Sequence, residues 1–516
     1  MRPTSLYIWR EFMQKKDQAL LSKCFLFMLA GFACFAFASR SSFLYPLNNW
    51  DDANSYFSVG KGIFNGKMPY RDIFDQKGMY LYFFYGLCYL ISHTNFTGVF
   101  IMEILFGIAD LVFAYRIIRL YAGQKASLSL AILVMGGMVS SRSFWWGGSA
   151  EEICLPFMMA GLYLFTDYFK GQYPEKTMSL RTVFAGGVLA GIIANIKFTG
   201  LGFFFAWMML VFIAYLVLGD FLGGIRACLV FLGGMFVPFI PWIIYFGIQG
   251  GLYEWYWGYI HVNVFVYSKV GAEGAGLLQA IWSMIKIFYF LIWNNWMYMF
   301  LVIAGLVASA LDPNAAWLAR ISVVVLFAFT FVGIFGGGRE LPYYSLPLSI
   351  FAVFGGAFIA NRLNALAEIE SSGFGFMGLP IFALMMALMQ IATFSMNVPF
   401  MAEKREEFFL YRFRDEVLET NNPTLLNVGC LDAGLYTLCD IVPSCRWFQT
   451  QTLDIDDPAN NPYMEQERYV REGLIDYVLV RDYIPESIDV HYDLIDQEEY
   501  GWGDYDFMYY LYKKVR

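Results

Sequence analysis

Long apolar runs separated by short polar connectors dominate the first 400 residues of the chain. Crossing the hydrocarbon layer of a bilayer takes about 20 residues of helix. Twelve runs are candidates, namely residues 25–38, 79–94, 96–120, 126–142, 152–169, 181–196, 199–218, 226–248, 282–309, 316–336, 343–361 and 374–398. The pattern predicts a polytopic α-helical membrane protein.

Basic residues orient these predicted spans. Arg10, Lys15, Lys16 and Lys23 precede the first run, and no small-residue cleavage site follows it, which predicts an uncleaved span with a cytoplasmic N-terminus. The later connectors that carry Lys and Arg would lie in the cytoplasm, as basic connectors usually do, only if one of the twelve runs does not cross the membrane. The short, tyrosine-rich run 79–94 is the best candidate, and we predict that it is a re-entrant or interfacial segment. We therefore expect an odd number of spans, eleven to thirteen, with the C-terminal segment extracellular.

One connector, residues 46–78, is long and densely charged for so apolar a protein. Residues 52–64 place apolar side chains at helical spacing, which predicts an amphipathic helix on the membrane surface with Asp51 or Asp52 as its N-cap. A second short helix is expected over residues 70–74. Long connectors in compact proteins are usually functional, so we expect the site in this loop.

The overall composition, 58% hydrophobic with a mean hydropathy of +0.50, lies outside the range of soluble enzymes. Residues 401–516 differ, because they hold 24 acidic and 11 basic residues, whereas the first 400 residues carry a net charge of +5. Such an acidic segment speaks against nucleic-acid partners. Strands are predicted at 424–429, 476–482 and 507–515 and a helix at 432–439, so we expect a small α/β domain.

Cysteines and histidines restrict the chemistry little. Cys430, Cys439 and Cys445 allow one disulfide with a third thiol left over, and no CxxC motif occurs. Three histidines are too few and too scattered for a histidine metal site. No cofactor is indicated, and a divalent metal stays open.

Other unusual polar residues fall on the predicted extracellular side. Glu151 and Glu152 begin a span, either as carboxylates facing the helix dipole or as a pair facing the first loop. Lys197 lies between two apolar runs, where it snorkels or contacts a phosphate. Arg339 follows three glycines, which indicate close backbone approach. The aromatic connector 249–281 forms an interfacial belt or walls a groove.

The order of motifs in the first loop resembles that of a known enzyme family. Asp52, Tyr56, Gly60 and Gly66 precede the segment PYRDIFDQKG at 69–78. This order is similar to the first external loop of the GT-C fold glycosyltransferases, specifically the bacterial protein-mannosyltransferase-like and aminoarabinose-transferase-like branch. The segments GGSAEE and RELPYYSLPL fall where that family places a carboxylate-bearing loop and a basic, tyrosine-containing loop.

The resemblance implies a GT-C transmembrane domain over residues 1–400 and a soluble extracytoplasmic α/β domain over residues 401–516. It implies an inverting glycosyltransferase at the outer face of the cell membrane. The donor would be a monosaccharide on a polyprenyl-phosphate carrier, and the acceptor a hydroxyl of a cell-envelope glycan or polymer. Membrane lipids are the other expected partners, and no nucleic-acid partner is expected.

The resemblance also implies roles for individual residues. Asp52 matches the family's acidic position and would act as general base, with Asp51 as the alternative or as a plain helix cap. Lys77 matches the family's lysine and would bind the donor phosphate, with Arg339 and Lys197 as further cations. The residues expected to position substrate are Asp75, Asp72, Tyr56, Glu151, Glu152 and Tyr343.

The chain departs from the family pattern at two positions. Met79 stands where many relatives have Pro, which is a minor departure. Ala53 stands where the aminoarabinose branch has an acid, and this weakens the case for a two-carboxylate base or a metal at that position. Two other functions stay open. A transporter or flippase of lipid-linked glycans would use the same cations, although no internal repeat is visible. An oligosaccharide polymerase or ligase would need more clustered basic residues.

Overall fold

The computed structural model describes residues 4–266, 277–365, 378–453, 455, 457–502 and 505–515. The helices of its membrane part are α1 Thr4–Ala38, α2 Asp51–Phe64, α3 Met79–Tyr89, α4 Thr97–Arg119, α5 Gln124–Val139, α6 Ala150–Gly171, α7 Leu180–Ala194, α8 Leu201–Val217, α9 Phe221–Phe236, α10 Ile240–Gln249, α11 Leu252–Trp255, α12 Leu277–Asn294, α13 Trp296–Ala310, α14 Trp317–Phe335, α15 Ala352–Ala365 and α16 Gly378–Phe394. A π-helix Tyr256–Val266 continues α11, and a 3-10 helix Pro342–Phe351 leads into α15.

Several of these helices are long and apolar enough to cross a membrane, so the chain is a multi-pass membrane protein, as predicted. In the described residues six stretches qualify, namely Leu21–Ala38, Thr97–Arg119, Phe198–Val217, Phe221–Gln249, Trp317–Phe335 and Pro342–Leu363. The bent pair α12 and α13 would add a seventh, and α5, α7 and α16 are apolar but shorter. Helix length alone therefore supports fewer spans than the eleven to thirteen expected.

Two of the twelve apolar runs depart clearly from a single straight crossing helix, and the sequence predicted this for the run 79–94 only. The run 79–94 contains α3, whose 11 residues are about 16 Å long and cannot cross alone, in agreement with an interfacial or re-entrant segment. The run 282–309 is not one straight helix, because the chain bends by 114° between α12 and α13. Asn295 occupies the corner, where its Oδ1 accepts a hydrogen bond from the Ser143 backbone N–H at 2.9 Å. Residues 267–276 of the aromatic connector 249–281 lie outside the described residues.

The C-terminal part folds into a small α/β unit. Its elements are α17 Phe409–Leu418, β1 Leu425–Val428, α18 Leu435–Leu438, α19 Pro462–Arg471, β2 Tyr477–Arg481, α20 Ile488–His491, β3 Tyr492–Trp502 and β4 Tyr505–Lys514. The strand order is β1-β2-β4-β3, with β1 parallel to β2 and the other pairs antiparallel. The three predicted strands are present. The sequence did not predict β3, because its many acidic residues lack the apolar pattern of a buried strand. It is an edge strand, which tolerates polar residues and forms by pairing with β4. Cys430, Cys439 and Cys445 are free thiols.

Helix α2 forms where predicted, but the prediction that it lies on the membrane surface is wrong. Every residue from Asp51 to Gly62 is buried, because α2 lies between α3 and the C-terminal part. Gly60 permits the close approach to α3, since a Cβ there would lie 2.7 Å from the Tyr82 carbonyl oxygen. The N-cap is Trp50, without a side-chain cap bond, so the predicted aspartate cap is also wrong.

The second helix expected in this loop is absent from the described structure of residues 70–74. Instead, a bridge between Pro69 and Ile73 closes a tight turn, and Tyr70 at its tip has a φ of 68°. The backbone of Tyr70 explains the difference, because a residue with a positive φ interrupts an α-helix, and Pro69 suits the position before it in a turn.

Candidate active site

The Asp52 carboxylate is the centre of the candidate site. It belongs to the first turn of α2, where the helix dipole favours a negative charge. Its Oδ2 accepts a hydrogen bond of 2.7 Å from the hydroxyl of Tyr343, which the 3-10 helix before α15 supplies. The Tyr343 ring packs edge-on against Trp50 at 4.9 Å between centroids. Two segments that are distant in sequence thus orient this carboxylate.

Lys77 lies on the same side of α2, with its Nζ 5.9 Å from the centroid of the Tyr56 ring. Two tyrosine hydroxyls hold its backbone. Tyr70 donates to the Lys77 carbonyl oxygen, and the Lys77 N–H donates to Tyr82, each at 2.7 Å. The loop that carries this lysine is therefore firmly positioned, although its side chain is long.

Asp75 is buried beside Lys77 and links the first loop to the C-terminal part. Its Oδ2 accepts a hydrogen bond from Tyr82 at 2.8 Å, and its Oδ1 accepts one from Gln451 Nε2 at 3.1 Å. Burial raises the pKa of Asp75, whereas the Lys77 ammonium and the Tyr82 hydrogen bond lower it. Burial also raises the pKa of Tyr56, and the charges of Asp52 and Asp75 add to this shift.

Lys197 and Glu151 form an ion pair on the other side of Tyr343. The Lys197 Nζ lies 3.8 Å from the centroid of the Tyr344 ring and 5.7 Å from that of Tyr343, and its side chain is 12% exposed. Glu151 therefore takes part in the cluster around Tyr343. Glu152 instead bonds to the backbone at the start of its own helix, because its Oε2 accepts a hydrogen bond of 2.8 Å from the Gly148 N–H just before α6.

Two of the predicted residues, Asp72 and Asp51, lie away from this cluster. Asp72 is bonded to Arg71 and to the Met68 N–H at the exposed turn, and the Arg71 hydrogen bond lowers the pKa of Asp72. Asp51 is directed toward Arg481 of β2, with Oδ2 to Nη2 at 2.6 Å. Arg339 is half-buried on the otherwise exposed connector 336–341, four residues before Tyr343.

Sequence reasoning missed Gln451, Tyr82 and Tyr344. Tyr344 had a signal, since it stands beside Tyr343 in the RELPYYSLPL segment. Gln451 had none, because it lies 376 positions from Asp75. Within the described residues, no group of three or more His, Cys, Asp or Glu side chains is placed to hold a metal ion.

No protein-family model and no curated protein sequence matches this chain. Two solved structures of ArnT from Cupriavidus metallidurans are similar to it along almost the whole length. The apo structure has a TM-score of 0.60 and 13% identity, and the structure bound to undecaprenyl phosphate has a TM-score of 0.58 and 12% identity. Each similarity covers 96% of this chain and 98% of that chain. The chain has the GT-C fold.

The fold class expected from the first loop is thereby confirmed, with a helical membrane part and a small C-terminal sheet. A larger GT-C protein, the mycobacterial arabinofuranosyltransferase AftD, shares 12% identity over 97% of this chain and 40% of its own, with a TM-score of 0.48. At identities this low, the similarity extends to the fold, while the chemistry depends on the residues of this chain.

Proposed function

We propose that this GT-C protein is an inverting glycosyltransferase. It takes a monosaccharide from a polyprenyl-phosphate carrier and transfers it to a hydroxyl of a cell-envelope glycan or polymer at the outer membrane face. The N-terminus would lie in the cytoplasm and the C-terminal part outside. The observation that supports this proposal best is the buried Asp52 carboxylate, which is oriented by Tyr343 and lies near the cations Lys77 and Lys197.

In this reaction Asp52 takes the proton of the acceptor hydroxyl as its oxygen attacks the anomeric carbon. Among the described residues, Tyr343 is its hydrogen-bond partner and uses Oδ2, which leaves Oδ1 for the acceptor proton. A positioned base of this kind contributes about 10²- to 10⁴-fold to rate. Attack from the face opposite the phosphate forms the new glycosidic bond and breaks the bond to the carrier, with inversion.

The leaving group is the polyprenyl phosphate, which gains negative charge as the bond to the sugar breaks. Ammonium groups stabilise this charge best where water is largely excluded. Lys77 offers such a group on the loop that Tyr70 and Tyr82 hold, and Lys197 offers a second one beside Glu151. The proposed carrier belongs to the same class as the undecaprenyl phosphate bound to ArnT, which is a property of that protein and supports the proposal by analogy of fold.

The test is Asp52→Asn in purified full-length protein supplied with a polyprenyl-phosphate sugar and acceptor. We expect product formation to fall by about 10²- to 10⁴-fold, with the carrier lipid still bound as in the wild type. Asp415→Asn, at a side chain that is 67% exposed, is the matched control and should leave turnover unchanged. Near-normal turnover of Asp52→Asn would refute the assignment. Movement of the lipid-linked sugar without a change in mass would instead indicate a transporter.

A further inference from the structure

A cavity of about 900 Å³ lies at the end of the helix bundle remote from Asp52. Helix α6 connects the two regions, because Glu151 belongs to its first turn at the candidate active site and Lys170 to its last turn at this cavity. The helix between these residues is about 28 Å long, close to the thickness of a hydrocarbon core of about 30 Å. Helix α4, which is long and apolar enough to cross a membrane, begins beside α2 and ends just before Tyr121, which lines this cavity. We therefore place the cavity at the membrane face opposite the candidate active site.

The cavity extends into the bundle between α6, α13, α14 and α15. Its lining runs along α13 from Ala304 to Leu311 and along α15 from Phe354 to Arg362, a depth of roughly 10–12 Å. The deeper wall is apolar and includes the buried side chains of Phe165 and Phe354. A chain of methylene groups fits such a wall better than a polar solute does, because apolar surface leaves water on binding.

The mouth of the cavity is polar and carries more positive than negative charge. Lys170 and Arg362 line it from different helices, with Asp312 as the acidic neighbour. The Lys170 Nζ is 3.9 Å from Asp312 Oδ2, which is longer than a hydrogen bond, and 4.8 Å from the Tyr121 ring centroid. The Arg362 guanidinium lies over the Phe358 ring at 5.4 Å. An anionic group at the mouth would thus meet donors from both cations.

We propose that this cavity binds a lipid with an anionic phosphate headgroup from the leaflet opposite the candidate active site. The phosphate accepts charge-assisted hydrogen bonds from Lys170 and Arg362, and one hydrocarbon chain lies against the apolar wall. Basic pockets between transmembrane helices commonly hold anionic headgroups in this way. The proposal is independent of the transferase function, because none of its residues belongs to the Asp52 cluster.

The experiment measures lipid binding to purified full-length protein by native mass spectrometry and by thermal unfolding. The probes are phosphatidylglycerol, diacylglycerol with the same chains, and inorganic phosphate. We expect phosphatidylglycerol to remain bound and to raise Tm, and the other two to do neither. The variant Lys170→Ala/Arg362→Ala should bind phosphatidylglycerol about 30-fold more weakly, since each cation near a headgroup contributes roughly a factor of five. Lys176→Ala/Arg181→Ala removes two exposed cations from the same face and should bind as the wild type does.

A second variant separates loss of the site from loss of folding. Ala308→Phe fills the apolar part of the cavity and leaves both cations in place. It should abolish retention of phosphatidylglycerol without lowering the Tm measured in lipid-free detergent. The proposal is overturned if either variant retains the lipid as the wild type does. It is also overturned if inorganic phosphate or diacylglycerol stabilises the protein as much as phosphatidylglycerol.

Discussion

Asp51 and Asp52 are adjacent in sequence, yet their side chains have different partners. Successive residues of a helix point about 100° apart, so Asp52 reaches Tyr343 in the membrane part while Asp51 reaches Arg481 in the C-terminal part. Burial raises the pKa of Asp51 to about 6, although the Arg481 guanidinium lowers it. One carboxylate is therefore available to a substrate, and its neighbour is committed to an internal ion pair.

Tyr343→Phe tests the orientation of Asp52. The variant removes the 2.7 Å hydrogen bond and keeps the ring that packs on Trp50. Because a hydrogen bond to a charged group is worth about 1.5–3 kcal/mol, we expect kcat to fall about 10- to 100-fold in a sugar-transfer assay. The control is Tyr80→Phe, whose ring packs against Trp242 away from the site. An unchanged kcat for Tyr343→Phe would show that Asp52 needs no such support.

Lys77→Ala tests the proposed phosphate contact. Removal of a charge-assisted donor should raise the apparent KM for the lipid-linked donor about tenfold or more, and Lys77→Arg should restore part of the affinity. The loop backbone should stay in place, because Tyr70 and Tyr82 bond to backbone atoms of residue 77. Lys67→Ala, in the same loop, should leave the donor KM unaltered. Donor titrations that coincide for Lys77→Ala and wild type would remove this lysine from the site.

At the scale of elements, α2 has two protein-facing sides. Its polar side chains bond to the C-terminal part, with Ser55 Oγ to Gln449 Oε1 at 2.6 Å and Ser58 Oγ to Asp432 Oδ2 at 2.5 Å. Its other side packs on α3 through Gly60. The amphipathic pattern in the sequence is therefore real, but its polar side meets protein groups where lipid headgroups were expected.

Gly60→Ala tests the contact between α2 and α3. A methyl group there meets the Gly86 nitrogen and the Tyr82 carbonyl oxygen, which are backbone atoms and cannot move aside alone. We expect Tm to fall by several degrees and transfer activity to fall with it. Gly233→Ala is the control, because no atom lies within 4 Å of the added methyl group, and helix propensity favours Ala by about 1 kcal/mol. Equal Tm changes in both variants would show that α2 tolerates displacement from α3.

At the scale of the whole molecule, the C-terminal part is held on the first loop by buried polar contacts. Besides the Asp51–Arg481 ion pair, Lys61 donates to the Tyr436 carbonyl oxygen at 2.8 Å, and Gln451 donates to Asp75. The rings of Phe74 and Trp447 pack against each other across the same junction, with 4.5 Å between their centroids. The C-terminal part thus supports the loop that carries Asp52 and Lys77, so loosening their contact should reduce transfer as well as stability.

Breaking the buried ion pair tests this coupling. Removing one partner of a buried pair costs about 3–5 kcal/mol, because the other charge stays uncompensated. We therefore expect Asp51→Asn to increase protease cleavage between residues 401 and 425 and to lower sugar transfer. Asp482→Asn, at a side chain that is 49% exposed next to Arg481, should change neither. Wild-type cleavage and activity in Asp51→Asn would mean that the ion pair does not hold the two parts together.

The junction should also depend on pH through Asp432. Burial raises the pKa of Asp432 to about 6, against the lowering effect of the Ser58 hydrogen bond. The unfolded value is about 3.9, so the folded state binds more protons between pH 4 and 6. Stability then decreases as pH rises through this window, by at most about 3 kcal/mol. Asp51 acts in the same direction.

The measurement is Tm from pH 4 to 7 for wild type and Asp432→Asn. The difference between the two curves removes contributions from other acids, including Asp51. It should change across pH 4–6 and be constant above pH 6.5. A difference that is independent of pH would show that Asp432 titrates near its ordinary value.

The sequence by itself determined the apolar spans, the helix at 51–64, three strands of the sheet and the charged loop with Asp52 and Lys77. These features depend on local periodicity and on residue chemistry, which a short window of sequence contains in full. Only the tertiary structure decided that α2 is enclosed, that Asp51 pairs with Arg481 430 positions away, and that Tyr343 orients Asp52 from 291 positions away. Such contacts arise from how whole elements pack, and no local pattern of polar and apolar residues specifies which distant partner a polar side chain meets.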